Sequence, residues 1–125
     1  MRYMFLIYSR ETAVSQVDME DLKARHWAVM EETQRLGIFE AAGPLQPTGT
    51  ATTVRMQEGK PLLLDGPFAE TKEQLAGYYI LDCRDLDEAI AWAARIPSGC
   101  KGLEGCIEIR PLGVLPPRPT ASPGR

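Results

Sequence analysis

The sequence predicts an α+β domain in which an antiparallel sheet carries two helices on one face, in the order β-α-β, inserted hairpin, β-α-β. Three observations carry this reading. Residues 2–8 form a β-rich run that is apolar on both faces, residues 18–36 repeat apolar positions at helical spacing, and a second helix-like stretch from Asp85 stands between two strand-like runs.

In the first strand Tyr3, Phe5 and Ile7 fall on one face and Met4, Leu6 and Tyr8 on the other. A strand apolar on both sides is central and covered twice, here by helices on one face and by a second subunit on the other. Over residues 18–36, Met19, Leu22, His26, Val29, Met30, Thr33 and Leu36 recur every three or four positions, while Glu20, Lys23, Glu31, Glu32 and Arg35 fall mostly elsewhere. This is an amphipathic helix, with Asp18 placed to cap it and Gly37 to end it. A strand follows at 38–42, broken by Gly43-Pro44. The β-prone run 50–57 stops at Glu58-Gly59-Lys60, a hairpin turn, and Pro61-Leu62-Leu63-Leu64 returns to deliver Asp65 at its end. Residues 77–83 make another strand. Asp85-Leu86-Asp87-Glu88-Ala89 opens the second helix, its acids complementing the helix dipole, and Pro97-Ser98-Gly99 closes it beyond Arg95. The last strand, 106–111, sets Ile107 and Ile109 against Glu108 and Arg110.

This order is the split ferredoxin-like plan. Two short helices on one side cannot bury Tyr3 or Met4 together with Tyr79 and Ile107, so face-to-face pairing of two copies into a barrel-like homodimer is expected. The domain spans residues 1–112, and residues 113–125 form a proline-rich tail or an arm over a neighbouring subunit.

A chain of 125 residues with 44% apolar and 25% charged content has material for one core. Its net charge of -3 and lack of a Lys/Arg run argue against nucleic acid or anionic membrane as a partner. The apolar opening is read as a strand and not as a leader, which places the protein in the cytoplasm. Cys83, Cys100 and Cys106 contain no C-x-x-C pair, and the one histidine is remote in sequence, so neither a disulfide frame nor a metal site is expected. No cofactor motif is present either: Ser98-Gly99-Cys100-Lys101-Gly102 follows a helix instead of opening one and lacks the amides of a phosphate cradle, and no Gly-x-Ser-x-Gly elbow exists. Trp27 and Trp92 lie on the two helices and read as packing residues.

The densest polar feature is the turn Asp65-Gly66-Pro67-Phe68-Ala69-Glu70-Thr71-Lys72-Glu73 between two strands, which packs a carboxylate, two backbone-shaping residues and a cluster of charges into one connection. With this motif, Gly77-Tyr78-Tyr79 after it, Ala51-Thr52-Thr53-Val54-Arg55 before it and Glu108-Ile109-Arg110-Pro111-Leu112 at the close, the chain resembles the YCII-related family, in the branch named for its DGPF motif, over about the first 112 positions. The resemblance implies a dimeric α+β barrel fold, like that of small cofactor-free isomerases and dehalogenases acting on lactones, with a pocket between sheet and helices. It further implies acid-base chemistry by a histidine on the first helix and an acidic residue, positions that His26 and Asp65 match here. Gly66, Pro67, Phe68 and Tyr79 are the accompanying pocket candidates.

His26 stands out independently. It is the one histidine and lies inside the apolar stripe of its helix, where imidazole can donate or accept a proton near neutral pH and a partner on one ring nitrogen would fix its tautomer. The plainer reading is a core histidine bonded to backbone or tyrosine. Asp65 before Gly-Pro equally suits a turn-capping role, Phe68 a loop anchor, and Glu70 and Lys72 solvated charges. Three functions remain open: a cofactor-independent enzyme in which His26 shuttles a proton on a small organic acid or lactone while Asp65 orients it; a small-molecule binding or sensing module, associated through the resemblance with sigma factors of the extracytoplasmic-function type; and an assembly role for loop and tail.

Overall fold

The structure is a computed structural model that describes residues 1–11, 16–69, 71–98 and 105–120. Glu70 of the polar turn, residues 99–104 with Cys100 and most of the glycine-rich segment, and 121–125 of the tail lie outside the described residues. Six strands and two α-helices follow in the order β1 Arg2–Ser9, α1 Gln16–Arg35, β2 Phe39–Pro44, β3 Thr52–Gln57, β4 Lys60–Asp65, β5 Gln74–Asp82, α2 Leu86–Ala93 and β6 Gly105–Pro111. Strands β2-β5-β1-β6 form one antiparallel sheet in that spatial order, and β3 and β4 pair separately as a hairpin. This is the ferredoxin-like α+β plan that the sequence predicts, with β1 central.

The helices cover one face. Tyr3, Phe5 and Ile7 of β1 and Tyr79 and Leu81 of β5 point into a core completed by Val29 of α1, Ala89 and Trp92 of α2, and Ile96. Phe5 and Leu81 are 0% exposed, and each such side chain contributes about 1.5–3 kcal/mol relative to remaining in water. Contrary to the sequence argument for pairing, Tyr3 and Tyr79 are both buried beneath the helices, and Ile107 packs against the same core. The face without a helix instead bears Met4 and Leu6 opposite Ile80 and Tyr78. Trp27 also departs from its expected packing role, standing 57% exposed on α1.

The element ends follow local chemistry. Helix α1 begins at Gln16, so Asp18 sits within its first turn and not at the position before it. Its other end is a Schellman closure: Gly37, at φ 75°, donates to the Gln34 carbonyl and Ile38 to that of Thr33. In α2 the Asp85 carboxylate accepts from the Glu88 amide at 2.9 Å, the N-cap bond that an aspartate before an acidic first turn predicts. Strand β2 runs through Gly43-Pro44, where the sequence suggested a break, because β2 is an edge strand and the missing Pro44 donor can face away from the sheet. Glu58 and Gly59, both at positive φ, make the two-residue turn of the β3-β4 hairpin.

Candidate functional site

Helix α1, from Met19 to Met30, lines a space together with the part of the sheet where β2 and β5 carry their smallest side chains, Ala42, Gly43, Ala76 and Gly77. The missing bulk leaves a cavity of ≈ 380 Å³ between helix and sheet. Helix α1 lines it with Met19, Leu22, Lys23, His26 and Met30, one stripe at helical spacing. Ile7, Ser9 and Tyr79 contribute from the sheet, and Pro97 and Ser98 close one side. The β1–β5 register slips between Ile7 and Tyr8, a bulge that falls at Ala76 and re-aims the strand beside the cavity.

His26 is the titratable centre of this space. Its Nδ1 lies 2.9 Å from the Tyr79 hydroxyl, which also approaches the His26 backbone carbonyl at 3.3 Å, and the two rings are stacked with centroids 5.8 Å apart. Burial, and then the charge of Arg25, pull the His26 pKa below its ordinary value, so the ring is neutral near pH 7. Burial pushes the Tyr79 phenol up to about 12, so Tyr79 stays protonated and acts only by hydrogen bonding. The hydroxyl has one proton and two acceptors within reach. When it donates to the His26 carbonyl, it accepts from Nδ1–H and leaves Nε2 with a free lone pair; when it donates to Nδ1, Nε2 carries the ring proton. Among the described residues, Nε2 has no protein partner of its own.

The remaining sequence candidates stand apart from this cavity. Asp65 is exposed at the end of β4, on the separate hairpin, and His26 and Asp65 are not brought together within one chain. Gly66, at φ 94°, donates its amide to the Ala51 carbonyl at 2.8 Å and accepts from the Thr53 hydroxyl at 2.8 Å, tying the base of the hairpin shut. Pro67 follows it, and Phe68 is 75% exposed beneath the Arg55 guanidinium, 4.9 Å from the ring centroid. The turn therefore closes the hairpin, and none of its described residues lines the cavity. Lys23, Ser9, Arg10 and the Ala42–Leu45 edge escaped the sequence reading. Lys23 carried a signal, since it precedes His26 by three positions and so shares its helix face.

Among the described cysteines, Cys83 is buried and Cys106 exposed, both as free thiols. Burial raises the Cys83 pKa to about 11, and burial followed by the Glu73 and Glu108 carboxylates raises that of Cys106. Neither is a ready nucleophile. No group of three or more His, Cys, Asp or Glu side chains among the described residues could hold a metal ion, and no described helix is long and apolar enough to cross a membrane.

Comparison with known proteins adds a lineage to this geometry. A family model described as the YCII-related domain matches residues 1–113. The chain is also similar to an uncharacterized protein of Rhizobium meliloti (strain 1021), with 37% identity over 120 residues that cover 94% of this chain and 96% of the relative. A match over nearly the whole domain, joined to the ferredoxin-like sheet and the cavity beneath its first helix, establishes that the chain belongs to the YCII-related domain family.

Proposed function

We propose that the protein is a cofactor-independent enzyme that moves a proton on a small organic acid or lactone, with His26 as the residue that takes and returns the proton. The observation that carries this reading is the His26–Tyr79 pair on the wall of a ligand-sized cavity, with Nδ1 held and Nε2 unengaged by any described residue. A neutral imidazole whose Nε2 bears a lone pair removes a proton from the carbon beside a carbonyl. The imidazolium formed keeps its Nδ1–H bond to Tyr79 and gives the proton back from Nε2 at a neighbouring atom, so that proton transfer isomerises the substrate without consuming anything. The orienting role that the sequence offered to Asp65 passes in this scheme to Tyr79.

A second reading, a binding or sensing module allied to sigma-factor regulation, is favoured by one observation: the described lining holds a single imidazole with no carboxylate beside it to share a proton, so Nε2 can serve as a hydrogen-bond partner alone. Under either reading the protein acts in the cytoplasm as a homodimer, the second copy covering the sheet face of Met4, Leu6, Tyr78 and Ile80.

Replacement of His26 by Gln separates the two. The amide keeps hydrogen bonding and removes titration, so a screen of small carboxylic acids and lactones should find turnover in the parent protein and none in H26Q, with binding retained. Turnover that survives in H26Q would sink the enzyme reading. Ligands that bind the parent without turnover would leave the binding module.

A further inference from the structure

The Tyr79 hydroxyl faces two acceptors on one residue, and its single proton serves one of them at a time: His26 Nδ1 at 2.9 Å or the His26 carbonyl at 3.3 Å. Both settings keep Nδ1 bonded and both leave the ring and the phenol uncharged, yet they give Nε2 opposite characters, acceptor in the first tautomer and donor in the second. A carboxylate or a backbone carbonyl at Nδ1 would accept only, and so would fix one tautomer; a hydroxyl fixes neither. His26 lines the cavity and no described residue meets its Nε2, so the sense of that nitrogen is left to whatever enters. Much of the remaining wall is apolar, with Ile7, Met19, Leu22, Met30, Leu45 and Pro97 contributed by helix, sheet and loops. An apolar cavity of about 150 Å³ already takes benzene. The ≈ 380 Å³ here holds a substituted ring or a chain of similar bulk.

Building on the reading of this cavity as a ligand site, we propose that it takes a compact apolar molecule bearing a hydroxyl or a carbonyl oxygen, and that the Tyr79 hydroxyl turns to let Nε2 meet either one. A hydroxyl donates to Nε2 and selects the ring with its proton on Nδ1. A carbonyl accepts from Nε2–H and selects the other ring form, with Tyr79 donating to Nδ1. Burial of the apolar body supplies most of the affinity, and the one polar contact sets the orientation. An enolisable carbonyl compound uses both settings, because the same oxygen is an acceptor in the ketone and a donor in the enol. Each form is held without a change in the charge of the site and without losing the bond at Nδ1. Tyr79 is a positioning residue in this scheme, acting on the ligand through the imidazole.

The test is nitrogen NMR of the intact protein carrying isotope-labelled histidine, at pH 8, above the ordinary imidazole value of about 6.5, so that the one ring reports its tautomer and not its charge. The probes are para-cresol, 4-methylcyclohexanone and toluene, three six-membered rings with one methyl group that differ in hydrogen bonding. Cresol, a far stronger donor than acceptor, should raise the Nδ1–H form; the ketone should raise the Nε2–H form; toluene should bind and leave the ratio unchanged. The Tyr79 Cζ resonance, assigned with Y79F, should move in opposite directions for cresol and the ketone. H26L should weaken both about three- to tenfold relative to toluene, the loss of one hydrogen bond, with its thermal midpoint measured alongside to confirm the fold. The same tautomer shift with both polar probes, no shift with either, no binding of any of the three, or unchanged relative affinities in a folded H26L would overturn the proposal. Opposite shifts in a protein that turns over no substrate would keep the ligand class while removing the proton-transfer role.

Discussion

The Tyr79 hydroxyl meets His26 at two atoms, the ring Nδ1 at 2.9 Å and the backbone carbonyl at 3.3 Å, so one phenol ties both the side chain and the main chain of α1 to the central part of the sheet. Tyr79→Phe keeps the ring packed at its 2% exposed position and deletes both bonds. It should cost about 1 kcal/mol, a fall of roughly 3–5 °C in Tm for a domain of this length, and nitrogen NMR should show a changed ratio of the two His26 tautomers. An unchanged tautomer ratio would mean that Tyr79 does not set the protonation pattern of the ring.

The depressed His26 pKa predicts a direction for stability against pH. Because burial lowers the folded-state value below the unfolded 6.5, the unfolded chain binds more protons in the interval between the two. The contribution is fully present above about pH 6.5 and is lost as pH falls through the folded value. The groups facing the ring agree with this sign: Tyr79 from β5 stays neutral, and Arg25 on its own helix is cationic. Urea midpoints of the parent and H26Q should run parallel above pH 7, with the parent losing ground to H26Q below pH 6.5. A parallel course down to pH 5 would place His26 in water in the folded state.

The sequence made the sheet and both helices legible because each rests on local periodicity, and the stop at Gly37 and the cap at Asp85 rest on residue chemistry that acts within one turn. His26 was visible as a lone imidazole in an apolar stripe. Its partner was not, because the pairing depends on β5 lying beneath α1 at a register that only the assembled sheet fixes. Asp65 invited a catalytic reading through its place in a dense polar turn, but the hairpin that carries it forms its own two-stranded sheet, and Asp65 is not among the described residues that line the cavity. The continuation of β2 through Pro44 was hidden for a similar reason, since proline reads as a breaker until the strand is known to be an edge.

Gly77 tests how the cavity floor is built. A Cβ placed there would lie 2.9 Å from the Gly43 carbonyl oxygen and 3.4 Å from Pro44 Cα, both backbone atoms that cannot swing aside. Gly77→Ala should push β2 from β5 and destabilise by about 1–3 kcal/mol in urea titration. Gly49→Ala, where a Cβ meets nothing within 4 Å, should change stability by less than about 0.5 kcal/mol. Equal effects at the two positions would show that the close approach of β2 and β5 is not a packing constraint.

Met4, Leu6, Tyr78 and Ile80 lie together on the helix-free side of the sheet, and the β3-β4 hairpin exposes Val54, Met56 and Leu63 on one of its faces at 57%, 68% and 65%. A two-stranded hairpin is marginal alone in water, so a ribbon this apolar draws its stability from contact with something else. A homodimer supplies that contact twice through one two-fold operation, because each chain offers the same surfaces to the other. Sedimentation of the parent protein should give a dimer at micromolar concentration, and Ile80→Glu, which sets a charge in the middle of the open face, should give a folded monomer. In amide exchange, the hairpin amides of β3 and β4 should be protected in the parent and exchange faster in I80E, while those of β1 and β5 remain slow. A monomeric parent whose hairpin amides are nonetheless protected would mean that the ribbon holds itself together and that the open face needs no second copy.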